Sequence, residues 1–144
     1  MTPSTLFSLA NALAASGWLV LAANALMRRG PMLWPARIVP VGLALGYVAV
    51  VAFQLPKGGV DFGSLAGVQS LFGHPWWVVA GWVHYLAFDL LVGSWQTREA
   101  PALGMPRALL LACLFLTFMF GPVGWLLFIV ASRWLARQGA RHAH

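Results

Sequence analysis

The 144 residues are 60% hydrophobic and 8% charged, whereas a soluble domain carries about a quarter charged residues. That excludes an ordinary soluble enzyme and places the chain among integral membrane proteins of one domain. The net charge of +6 does not point to nucleic acid, because the nine basic residues lie between and after apolar segments, where anchoring and topology explain them.

The sequence predicts an all-α integral membrane protein with four transmembrane helices, about 5–27, 38–55, 76–95 and 107–135, and a basic tail at 136–144. The first segment has no basic residue before Arg28, so neither a signal peptide nor a transit peptide is expected there. It carries Asn11 near its middle, either bonding a neighbouring helix or lining a binding site. The connection RRGPMLWPAR follows, and Pro31 and Pro35 disfavour a continuous helix through it.

Segment 2 places Pro40 in its first turn, where a missing N–H is harmless. Its Gly42 and Gly46 form a GxxxG spacing, which allows close helix approach within the bundle or in a homo-oligomer. The connection QLPKGGVDFGS is rich in turn formers. After it, Leu65, Val68, Leu71 and Phe72 share a helical face. This predicts a short interfacial helix between segments 2 and 3, capped by Ser64 or Asp61 and stopped by Gly73.

Segment 3, WWVVAGWVHYLAFDLLVGSW, is the centre of the chain. Tryptophans mark both ends, as at lipid headgroups. His84, Tyr85 and Asp89 lie near its middle, and an aspartate at that depth costs about 2.5–3.5 kcal/mol on insertion scales. At about 100° per residue, Trp82, Tyr85, Asp89 and Gly93 share one face, with His84 about 140° from Asp89. The polar link QTREAPALGMP then leads to segment 4, which is too long for one straight perpendicular span. Its GPVG at 121–124 predicts a kink, since Pro122 removes the bond to the Phe118 carbonyl. Cys113 is the only cysteine, so no intrachain disulfide is possible.

Orientation is nearly balanced under four spans. Arg28, Arg29, Arg37, Arg98 and Arg107 fall on one side, and Lys57, Arg133, Arg137 and Arg141 on the other. A re-entrant segment 4 turning at GPVG would bring the tail to the first side.

The polar residues suit acid–base chemistry on an apolar substrate. Asp89 could donate a proton, Tyr85 one turn earlier could orient it, and His84 could accept one. Trp77, Trp82, Phe88 and Trp95 suit a long polyene or ring. No HxxxH, HxxE or CxxC spacing is present, so no metal and no cofactor are expected. The competing reading for Asp89 is a packing role, paired to an Asn, an Arg or a backbone N–H.

Three runs resemble a known family. SLAGVQSLFGHP, AGWVHYLAFDLLVGSW and LTFMFGPVGWLLF are similar to the plant neoxanthin synthase family, also called abscisic-acid-deficient-four-like proteins. The resemblance covers roughly residues 62–130 and fits more loosely before them. It implies a small membrane protein of about four spans and conversion of an epoxy-carotenoid to an allenic one, an isomerisation without net redox change. Opening the epoxide needs an acid and forming the allene needs a base. We therefore expect Asp89, His84 and Tyr85 to be catalytic, and Asn11, Trp82, Phe88, Thr117, Phe120 and Pro122 to bind a carotenoid-like isoprenoid. A non-catalytic pigment- or lipid-binding protein is the alternative, and a small transporter is a third reading. The Ala-, Gly- and Arg-rich make-up points to a multi-pass protein of a bacterial inner membrane.

Overall fold

The computed structural model describes residues 1–27 and 34–142, with side chains for 1–27 and 38–138. Among the described residues there are six α-helices: α1 Pro3–Met27, α2 Trp34–Gln54, α3 Leu65–Phe72, α4 Pro75–Glu99, α5 Arg107–Phe120 and α6 Pro122–His142. Three apolar stretches are long enough to cross a membrane: Pro3–Met27, Ile38–Lys57 and Pro75–Glu99. These fit a membrane protein.

The central pair is α1 against α4. Ala10, Ala14, Gly17 and Leu21 are buried on α1, and Val79, Val83, Leu86, Leu90 and Gly93 are buried on α4. Both sets recur every three or four residues, so each forms one stripe down its helix. Small residues set the approach. A Cβ at Gly17 would stand 3.0 Å from Leu90, and one at Gly93 would stand 2.9 Å from the Trp18 ring. In lipid, such close van der Waals packing does the work that hydrophobic burial does in water. Position 17 thus meets 90, and 18 meets 93, while Asn11 meets Trp82. The two helices are parallel. α2 is antiparallel to both, with Val39 near Gly17 and the Tyr47 ring tilted against His84.

α2 begins at Trp34, earlier than expected, so Pro35 falls in its first turn and Pro40 lies inside the helix. Pro40 is fully buried. The expected break at Pro31 lies outside the described residues, as do Arg28, Arg29 and His144. α3 is capped as the sequence suggests. Ser64 accepts a bond from Gly67 N at 3.0 Å, and its own hydroxyl donates to Asp61 at 2.7 Å. Only Leu71 of its apolar face is buried; Leu65 is exposed.

The expected fourth transmembrane helix is not formed. The chain turns at Gly121, and α5 and α6 pack against each other. A Cβ at Gly124 would strike the Thr117 backbone N and the Cys113 carbonyl, which lie on the other side of the turn. Such proximity requires a hairpin rather than a kinked rod. The reason is local. Gly121 has φ +22°, a conformation open to glycine, and Pro122 sits at the start of a new helix, where its missing N–H costs nothing. At about 1.5 Å per residue, the 14 residues of α5 rise about 21 Å, short of a hydrocarbon core about 30 Å thick. α6 continues through the basic tail to His142.

Candidate functional site

α4 touches every other helix, so its side chains are placed by the whole bundle. It also runs past the expected end at Trp95, and Gln96 and Thr97 are buried helix residues rather than a polar link.

Asp89 is 9% exposed. It points at the tip of the α5–α6 hairpin, where a Cβ at Gly121 would stand 2.6 Å from Oδ1. The Tyr85 hydroxyl interacts with the carboxyl. Asp89 Oδ2 is buried with no hydrogen-bond partner among the described residues. A buried polar atom left unmatched costs about 1–3 kcal/mol, so this oxygen does not fasten the fold.

A row of groups leads away from Asp89 along the α1–α4 seam. The Tyr85 and Trp82 rings lie 5.7 Å apart. Trp82 Nε1 donates to Asn11 Oδ1 at 3.1 Å, and Asn11 Nδ2 donates to the Phe7 carbonyl at 2.8 Å. The structure therefore brings together Asn11, Trp82, Tyr85 and Asp89 from the expected set. Pro122 lies at the hairpin tip beside Gly121.

His84 and Phe88 stand on another face of α4. Their rings are 4.6 Å apart, and the Tyr47 ring is 5.4 Å from His84. Both are exposed on the outside of the bundle, where lipid would meet them. Phe120 is also exposed, at 58%.

Thr117 is fully buried and fastens the hairpin. Its hydroxyl donates to the Cys113 carbonyl at 2.8 Å and shares bonds of 3.0 and 3.1 Å with the Gln96 amide. Gln96 Nε2 also reaches the Gly124 carbonyl at 3.2 Å. Sequence reasoning missed Gln96. Its spacing of seven from Asp89, on the same helical face, was the signal that could have found it.

A helical membrane protein with a buried carboxyl at a re-entrant tip is the class these features define. The family described as ABA DEFICIENT 4-like matches residues 5–128. The chain belongs to that family. No curated protein and no solved structure matches it.

Proposed function

We propose that this protein is a membrane isomerase acting on a carotenoid-like isoprenoid, converting an epoxide to an allenic alcohol in the manner of neoxanthin synthase. The family membership supports the substrate class. The observation that carries the chemistry is Asp89, a buried carboxyl with one oxygen unpartnered. In this reading the Asp89 O–H gives its proton to the epoxide oxygen as the C–O bond breaks. A base then takes the proton from the neighbouring vinylic carbon, and the electrons of that C–H bond close the allene. Protons balance, and no oxidant is consumed.

The base is the open choice between two groups on α4. One is Asp89 itself, which becomes a carboxylate once it has given its proton to the epoxide oxygen. His84 is an exposed group on a different face and would have to act on a substrate reaching around the helix. The position of Asp89 favours the single-carboxyl cycle, with Tyr85 orienting it. Trp82 and Asn11 would hold the polyene along the α1–α4 seam, in a multi-pass protein whose partners are this substrate and the bilayer.

The test is pigment chromatography on membranes that co-express the protein with an epoxy-carotenoid pathway, beside Asp89→Asn. A new isomer formed by the wild type alone is expected. Pigment that co-purifies with both proteins without a new product would instead support a non-catalytic pigment-binding protein.

A further inference from the structure

The hairpin changes the distribution of charge. α1 and α4 are parallel, so their C-terminal ends lie together with the start of α2. α5 begins eight residues after α4 ends, at the same end. α6 returns toward it: along α4, Gly121 meets Asp89, whereas Gly124 and Phe128 meet Gln96 and Trp95. This end therefore holds Arg98, Arg107, Arg133 and Arg137, with Arg37 at the start of α2 and Arg141 near the end of α6. By chain position, Arg28 and Arg29 belong to the connection between α1 and α2. Six arginines, all those of the described residues, thus belong to one end, with Glu99, which pairs with Arg98 at 3.2 Å. The opposite end has Lys57, Asp61 and the amino terminus.

We propose that this arginine rim faces the cytoplasm and seats on anionic phospholipid headgroups, with Arg133 and Arg137 as its chief contacts. The sidedness follows from the retention of Lys and Arg on the cytoplasmic side of short loops. The depth follows from the hairpin. From Gly121, level with Asp89, twelve residues of α6 rise about 18 Å, and half of the hydrocarbon core is about 15 Å. Arg133 therefore emerges at the phosphates. Arg133 and Arg137 are one turn apart and share a face, both exposed. Trp134 beside them is 56% exposed, as suits an indole at the headgroups. α6 carries no acidic residue to neutralise them. The planar guanidinium matches phosphate oxygens two at a time, and anionic leaflets attract such clusters.

Two measurements test this. In a Cys113→Ala background, Ser70→Cys and Gln138→Cys variants place single thiols at exposed positions of α3 and α6. In intact bacterial spheroplasts, a membrane-impermeant maleimide should label the Ser70→Cys variant, and the Gln138→Cys variant only after lysis. Labelling of the Gln138→Cys variant in sealed cells overturns the sidedness. For the headgroups, phosphatidylglycerol added to the micelle-bound protein should raise Tm more than phosphatidylcholine does. Arg133→Gln with Arg137→Gln should remove at least half of that excess. Equal shifts with the two lipids, an undiminished excess in the double variant, or the same rise with inorganic phosphate alone overturns the headgroup contact.

Discussion

Asp89 and Gly121 meet in the middle of the protein, one from the centre of α4 and the other from the tip of the α5–α6 hairpin. A Cβ at position 121 would stand 2.6 Å from Asp89 Oδ1. The carboxyl thus lies against backbone that only a glycine turn can bring so close. Gly121→Ala should be doubly unfavourable, through its positive φ and through this collision. Each effect is of order 1–3 kcal/mol, and a thermal melt in detergent checks the sum. Turnover should fall with it, because the carboxyl must move.

Asp89→Asn should abolish isomerisation, a loss of about 10²-fold or more, while the protein stays folded. The amide is nearly isosteric, and Oδ2 gives up no hydrogen bond. Tyr85→Phe should reduce turnover by a smaller factor. His84→Ala should leave turnover largely intact, since His84 faces outward. Initial rates on one membrane preparation rank the three variants, and a His84→Ala rate as low as that of Asp89→Asn would sink the single-carboxyl cycle.

The Gln96–Thr117 pair should show non-additive energetics. Gln96→Leu removes the donor to the buried Thr117 oxygen, which keeps its bond to the Cys113 carbonyl, and Thr117→Val leaves the Gln96 amide oxygen without its partner, while Nε2 keeps the Gly124 carbonyl. Each should cost about 1–3 kcal/mol. Together they should cost less than the sum, because neither orphan then remains. Melting the two single variants and the double variant gives the coupling directly.

Two glycines should respond oppositely to alanine. At Gly124 the new methyl strikes the Thr117 backbone and the Cys113 carbonyl, which cannot swing aside, so the cost should reach about 1–3 kcal/mol or more. At Gly46 nothing lies within 4 Å of the Cβ position, so Gly46→Ala should be neutral or stabilising by about 0.5–1 kcal/mol. A marked loss at Gly46 would show that its face is covered by another copy of the chain.

α3 should loosen in acid. Asp61 is held below its ordinary range by the Ser64 hydroxyl and then by Gly63 N–H. Its contribution is therefore complete above the unfolded carboxyl value, about 3.9, and is lost as pH falls through the lower folded value. Hydrogen exchange of the Gly67 and Val68 amides, compared between pH 6 and pH 3, should show the loss. Asp61→Asn should flatten that difference.

The apolar character of the segments and the short capped helix were legible because each follows from local composition, periodicity and capping. Asp89 stood out for the same kind of reason, as a carboxyl deep in an apolar run. The hairpin was not legible in that way. GPVG signals a break of the helix, but a kink and a full reversal use the same residues. The reversal is decided by Gly124 packing on α5 and by Gln96 bonding both arms.

The amino-acid sequence by itself therefore determined a helical membrane protein with a buried acid at its centre, because hydropathy and periodicity act within one segment. Only the tertiary structure decided which groups surround that acid. It set Tyr85 and the Gly121 tip beside Asp89, put His84 on another face, and gathered six arginines at one end. Those outcomes depend on how separate helices pack, and close packing is settled by shape across the whole bundle.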